Sequence, residues 1–191
     1  MGEGIRGIRV MEDILLHTCC GPCATYTTEH LAAAGFVPLM YYYNPNIHPY
    51  REWQKRRETL EDFAEKKGLA LLVEDEYDLS GFLRMVVEKE NERCPLCYAM
   101  RLEKTASKAR ELGYKWFGTT LLISPYQQME RIYRTGEDLA RKYGLNFYGE
   151  DLRPGYRRSR EISKELGLYR QPYCGCIYSE RDRYYKPLQG G

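Results

Sequence analysis

The chain lacks any apolar run approaching the roughly 18 residues that a membrane helix needs, so no membrane partner is expected. It also lacks a surplus of either charge: 29 Lys+Arg stand against 27 Asp+Glu, a net charge of +2 that by itself names no partner. Met1 to Val10 have neither the apolar core nor the cleavage site of a secretory signal. Met11 would serve equally well as a start, so residues 1–10 are expected to be a disordered extension. No linker and no low-complexity segment divides the rest, and 191 residues suffice for one domain but hardly for two. A single domain over 11–191, cytoplasmic in location, is the expectation. With 43% hydrophobic and 29% charged residues the composition is that of an ordinary globular protein.

Two residue types are abundant instead: 18 tyrosines, and seven cysteines in three tight groups. The groups are Cys19, Cys20 and Cys23; Cys94 and Cys97; and Cys174 and Cys176. A disulfide framework suits a small secreted chain, but nothing here suggests secretion, and the number is odd. Paired cysteines at these spacings in a reducing compartment point to metal binding or electron exchange.

One punctuation pattern recurs. A helix-periodic stretch ends at a glycine and a short apolar run follows, at Gly35 (then Phe36 to Tyr43), Gly68 (Leu69 to Val73), Gly113 (Tyr114 to Thr120) and Gly144 (Leu145 to Tyr148), and more weakly at Gly167. Trp53, Leu60, Phe63 and Ala64 share one helical face. So do Ala99, Leu102, Ala106 and Ala109, and Met129, Ile132, Leu139 and Tyr143. With Ile14 to His17 as a first strand, the alternation predicts an α/β fold, a mainly parallel Rossmann-like sheet flanked by helices. The stretch after Gly167 is expected over the sheet's carboxyl edge, where ligands of open α/β sheets bind. Cys19, Cys20 and Cys23 follow the first strand and open its helix, and Cys94 and Cys97 open another. Helix amino termini favour thiolates and anionic groups.

Three readings of the cysteines compete. Cys20-Gly21-Pro22-Cys23 is a thioredoxin-like dithiol by spacing, but it leaves five cysteines idle. Cys94-Pro95-Leu96-Cys97 is half of a zinc site whose other half would need less usual geometry. An iron–sulfur cluster held from both helix starts tolerates adjacent ligands. It also gives the strained C-x-C pair, Cys174 and Cys176, a role as electron relay or as ligands of a further ion.

The sequence resembles the cobalamin-independent epoxyqueuosine reductases, the QueH family, from Ile14 to about Tyr185. The resemblance rests on Leu15-Leu16-His17-Thr18-Cys19-Cys20-Gly21-Pro22-Cys23, Tyr43-Asn44-Pro45-Asn46-Ile47-His48-Pro49 and Arg93-Cys94-Pro95-Leu96-Cys97-Tyr98. It continues in Thr119-Thr120-Leu121-Leu122-Ile123-Ser124-Pro125, Gly155-Tyr156-Arg157-Arg158-Ser159 and Leu168-Tyr169-Arg170-Gln171-Pro172-Tyr173-Cys174-Gly175-Cys176. It implies a transfer-RNA-modifying reductase that converts epoxyqueuosine to queuosine at the anticodon wobble position, with an unidentified electron donor. It implies a [4Fe–4S] cluster on Cys19, Cys20, Cys94 and Cys97, with Cys174 and Cys176 as the redox-active pair. The implied fold resembles the ATP-pyrophosphatase (HUP) group, but that group's glycine-rich phosphate loop is absent and ATP is not carried over.

A second ion, one additional iron, is an alternative use of Cys23, Cys174 and Cys176, with Asp151 as a hard oxygen ligand. Tyr173 and His17 are candidate proton donors. From Asp151 onward nine Lys/Arg face five Asp/Glu, and Arg153, Arg157, Arg158 and Arg160 surround Tyr156. Lys55, Arg56 and Arg57 follow Tyr41, Tyr42, Tyr43, Tyr50 and Trp53. Each stretch alone reads as a solvated helix face with core aromatics; together with the resemblance, both are candidate contacts to an anticodon loop.

Overall fold

Helix ends set the rhythm of the chain. Gly35, at φ 97°, and Gly144, at φ 65°, hold the left-handed conformation that closes the preceding helices, and the other punctuating glycines do the same. The structure is a computed structural model and describes residues 11–187. The expected extension over residues 1–10 lies outside the described residues.

In chain order the strands and α-helices are β1 (Glu12–His17), α1 (Gly21–Ala34), β2 (Phe36–Tyr42), α2 (Tyr50–Lys67), β3 (Leu71–Val73), α3 (Leu79–Val86), α4 (Arg93–Glu111), β4 (Trp116–Thr119), α5 (Met129–Tyr143), β5 (Asn146–Tyr148), α6 (Tyr156–Glu165) and α7 (Ile177–Tyr184). The strands form one parallel sheet in the order β3-β2-β1-β4-β5. The chain winds outward from β1 on one side and then crosses to its other side. The gap between β1 and β4 is therefore the switch point, where the carboxyl ends of two strands leave a crevice.

Alternation along the strands fills both faces. Leu15, Tyr41 and Phe117 pack with Leu102, Ala106 and Ile132 under α4 and α5. Ile14, Leu16, Met40 and Tyr42 pack with Ala24, Leu31, Trp53 and Phe63 under α1 and α2. Each fully buried aliphatic chain in these layers contributes about 1.5–3 kcal/mol. None of the helices among the described residues is long and apolar enough to cross a membrane.

One expectation needs correction. Tyr41, Tyr42 and Trp53 lie in the core rather than on a surface that could stack on RNA, and Arg56 is buried with them. The stretch after Gly167 lies where it was expected: it is a loop that carries the last two cysteines back over the carboxyl edge and into α7. An element the sequence reading did not separate, α3, brings Phe82 and Val86 under Cys97 and Cys176.

Candidate metal–thiolate site

β1 delivers Cys19 and Cys20 straight into the switch-point crevice. The next residue, Gly21, begins α1 so close to α2 that a Cβ there would stand 2.9 Å from the Thr59 carbonyl oxygen. This packing turns the first helical turn back over the strand end and places Cys23 beside its two predecessors. The Cys19 and Cys20 sulfurs are 3.7 Å apart, and all three Sγ atoms lie within 4.8 Å of one another. From the β4 side the Thr120 hydroxyl accepts from the Cys19 N–H at 3.2 Å and donates to its sulfur at 3.5 Å. Gln171 Nε2 donates to Cys20 Sγ at 3.0 Å. Thiol hydrogen bonds from Cys20 and Cys23 hold Cys19 well below the usual thiol range. Burial raises Cys20, and the hydrogen bonds it shares with Cys19 and Cys20 raise Cys23. Within the trio the thiolate is thus favoured at Cys19 over its two neighbours. Three sulfurs so placed can bind a metal ion.

The other four cysteines form a second group. Cys94 and Cys97 occupy the first turn of α4, and Cys174 and Cys176 arrive on the loop before α7. With Arg101 and Asn46 they border a cavity of about 20 Å³, room for a single water or ion. The Tyr98 hydroxyl donates to Gln127 Oε1 at 3.0 Å, and Gln127 Nε2 in turn donates to Cys174 Sγ at 3.5 Å. Burial pushes Cys97 up to about 12 and raises Cys94. None of the seven cysteines is bridged, so Cys174 and Cys176 stand as a dithiol. Four of the buried polar atoms left without a partner border these two groups: Asn46 Oδ1, Arg93 Nε, Arg101 Nη2 and Gln171 Oε1. Polar atoms turned inward and unsatisfied beside thiols fit a centre that carries its own charge and acceptors.

The loop bearing Cys174 and Cys176 is tied down by buried groups. Arg56 donates to the carbonyls of Cys174 at 2.8 Å and Tyr173 at 3.0 Å. The His48 N–H donates to Gly175 O at 2.8 Å, and the Ile177 N–H donates to His48 Nδ1 at 3.2 Å. Nδ1 must therefore be unprotonated, and Nε2 donates to Pro45 O. Burial lowers His48 to about 4 and His17 to about 3, so both imidazoles are neutral when folded. Unfolded, each takes a proton near ~6.5. The unfolded state thus binds up to two more protons as the pH falls. Stability is complete above about pH 6.5 and declines toward about pH 5 with a slope approaching ~2.7 kcal/mol per unit. Urea unfolding of metal-free protein across that range checks the slope, which His48→Gln is expected to halve.

The remaining sequence-derived residues lie elsewhere or act differently. Asp151 is exposed and engaged by Arg153 through 2.6–3.1 Å contacts, and it is not among the ligand atoms gathered at the three-thiol group. Cys23 sits with Cys19 and Cys20, whereas Cys174 and Cys176 sit with Cys94 and Cys97. Arg157 pairs with Glu161, and Arg158 with Glu161 and Glu165. Arg160 is exposed and makes no ion pair among the described residues. His17 Nδ1 lies 2.9 Å from Thr119 Oγ1 in the core. The Tyr173 hydroxyl donates to His48 O, and burial pushes it up to about 12. Neither is poised to release a proton at neutral pH. Arg101, Gln127, Gln171 and Asn46 were not singled out as site residues from the sequence. For Arg101 the signal was its i+4 spacing from Cys97, and for Asn46 and Gln171 their places inside the quoted motifs; Gln127 lies two residues past one and carried no signal of its own.

The fold is similar to that of a solved structure described as a predicted subunit of tRNA methyltransferase from Methanocaldococcus jannaschii, with a TM-score of 0.56, 14% identity, and coverage of 81% of this chain and 75% of that one. At that identity the likeness concerns the fold alone. Among curated proteins, epoxyqueuosine reductase QueH of Dehalococcoides mccartyi is 41% identical over 174 residues, covering 91% of this chain and 96% of that one. The protein of the same name from Thermotoga maritima is 36% identical over 183 residues, covering 91% and 93%. The family model described as epoxyqueuosine reductase QueH matches residues 14–182, a span that takes in all seven cysteines and the sheet whose edge gathers them. This chain belongs to the epoxyqueuosine reductase QueH family.

Proposed function

We propose that this protein is an oxidoreductase of transfer-RNA modification that removes the epoxide oxygen of epoxyqueuosine at the anticodon wobble position and leaves queuosine. The observation that carries the reading is the convergence of seven thiols on the switch point of one parallel sheet, in a member of this family. Removing an epoxide oxygen breaks two C–O bonds, leaves a carbon–carbon double bond and releases water. It consumes two electrons and two protons. Cys174 and Cys176 as a dithiol hold both, since closing to a disulfide gives up two electrons and two protons. An external reductant then reopens the pair.

A [4Fe–4S] cluster on Cys19, Cys20, Cys94 and Cys97 is supported by the burial of Cys19, Cys20 and Cys97, the partial burial of Cys94, and a three-thiol group without a carboxylate. Such a cluster, when bound, supplies electrons one at a time. The geometry favours a second partition as well. A 3.7 Å Cys19–Cys20 sulfur separation matches the ~3.8 Å edge of a tetrahedron of thiolates around one ion at ~2.3 Å. On that partition Cys19, Cys20 and Cys23 hold a single iron, and the cluster belongs to Cys94, Cys97, Cys174 and Cys176. Anaerobically purified protein tests the proposal. Brown protein with iron and acid-labile sulfide near ~4 each supports a cluster, and a fifth iron favours the second partition. Colourless protein holding one zinc overturns both.

The RNA contact is assigned to the α6 surface. Arg160 makes no ion pair among the described residues, Arg157 projects almost wholly into solvent, and the acidic partners of Arg157 and Arg158 form exposed pairs that a phosphate displaces at little cost. Binding to an anticodon stem-loop is expected to weaken steeply with salt. Arg160→Ala should lower the magnitude of the log K against log salt slope by about 0.7–0.9, with metal content unchanged. An unchanged slope places the RNA elsewhere.

A further inference from the structure

Two arginines are buried among the described residues, and they are satisfied very differently. Arg56, 1% exposed, has a carboxylate: its Nε donates to Glu52 at 2.7 Å, and its other nitrogens donate to two carbonyls. Arg101, 2% exposed, makes no ion pair among the described residues. Its Nε donates to Cys97 O at 3.3 Å, and its Nη1 reaches Asn44 Oδ1 only at 3.5 Å. Its Nη2 has no partner, although the side chain borders the cavity shared with Cys94, Cys97, Cys174 and Cys176. A guanidinium does not discharge by losing its proton, and an uncompensated buried charge is strongly destabilising. Something anionic must stand beside it in the working protein. The electrostatic neighbours of Arg101 include Cys97, Cys174 and Cys19, one residue from each of the three cysteine groups of the sequence.

We infer that Arg101 is the counter-charge of the metal–thiolate centre, a positioning residue set where the two thiol groups meet that fixes the centre's reduction potential. The inference rests on the reading that these cysteines hold a redox-active metal centre. A fixed positive charge favours the reduced, more negative state, so its presence raises the potential. The fan of donors on a planar guanidinium matters too. While Nε is anchored on Cys97 O, Nη2 remains available to a sulfur acceptor, which a lysine ammonium at the end of a flexible stem does not reproduce.

Anaerobic redox titration of the metal-loaded protein, followed by absorbance and electron paramagnetic resonance, tests this. Arg101→Met is expected to shift the reduced-to-oxidised ratio at a given potential at least tenfold toward oxidised, about 59 mV for one electron. Arg101→Lys should retain more than half of the wild-type effect. A loaded Arg101→Met protein with an unchanged potential overturns the inference and leaves the proposed function standing. A second readout guards against a merely structural role. In chelator-stripped, reduced protein the charge has lost its partner, so Arg101→Met should melt higher than wild type, while the loaded variant gains less from its metal than wild type does. Equal destabilisation of both forms overturns the inference. Wild-type protein that takes up no metal overturns this inference and the function proposed above together.

Discussion

Cys97→Ala is expected to lose colour, iron and activity together, whereas Cys174→Ala keeps its colour and loses activity alone. Cys97 is buried in the first turn of α4, beside Arg101 and above Phe82 and Val86 of α3, with unsatisfied donors nearby, the setting that the proposed metal centre requires. Removing an outer partner of a metal ligand typically costs 10–100-fold in metal affinity, so loss of a ligand itself should cost more than ~100-fold. Cys174 is the exposed thiol of the seven, reached by Gln127 and placed to exchange electrons with a substrate or donor. Cys19→Ala, Cys20→Ala and Cys94→Ala should follow Cys97, and Cys176→Ala should follow Cys174. Cys23 decides between the two partitions. If Cys23→Ala removes about one iron and spares the cluster spectrum while Cys174→Ala bleaches the protein, the three-plus-four partition is correct. Visible absorbance, iron content and single-turnover epoxide reduction on each variant read this out.

Arg56→Leu should unfold the site from its other side. The guanidinium forms a buried pair with Glu52, whose second oxygen accepts from the Tyr169 hydroxyl at 2.8 Å, and it also holds the carbonyls of Tyr173 and Cys174. Breaking a buried pair from one side costs about 3–5 kcal/mol. Two carbonyls lose their donor as well, so the loss falls at the upper end of that range. The expected result is a matching fall in denaturant stability of the metal-free protein and faster alkylation of Cys176, which is 8% exposed while the loop is held. Arg56→Lys should not rescue, because one ammonium cannot serve a carboxylate and two divergent carbonyls. A stability loss below ~1 kcal/mol, the scale of an exposed pair, would contradict the role given to this residue.

Much of the architecture was legible because its signals are local. Gly35 and Gly144 mark helix ends by a conformation few other residues adopt, and the apolar runs that follow them have strand length. Cys19 and Cys20 were legible as an edge site because they follow β1 directly. What escaped depends on tertiary packing. The helix α3 is eight residues long with Gly81 inside it, and it is held by Phe82 and Val86 packing on cysteines far away in sequence. Arg56 and Arg101 look like ordinary charged positions on helix faces, and only the folded chain shows that both are buried and that one lacks a counter-charge. The tyrosines of β2 read as a stacking surface because aromatic residues serve cores and RNA equally well. The sheet chose the core for Tyr41 and Tyr42. The association of Cys23 with Cys19 and Cys20 follows from the close approach of Gly21 to α2, a contact between distant segments.

The central claim is that the converged thiols reduce an epoxide on transfer RNA, and nucleoside analysis after an anaerobic incubation tests it most directly. Iron-loaded protein, a low-potential reductant and transfer RNA carrying epoxyqueuosine should yield queuosine, lighter by one oxygen, when the RNA is digested and resolved by mass spectrometry. The same incubation with Cys176→Ala should leave epoxyqueuosine intact. Wild-type protein with its full complement of iron that leaves the epoxide untouched, or Cys176→Ala that converts it as well as wild type, would contradict the account.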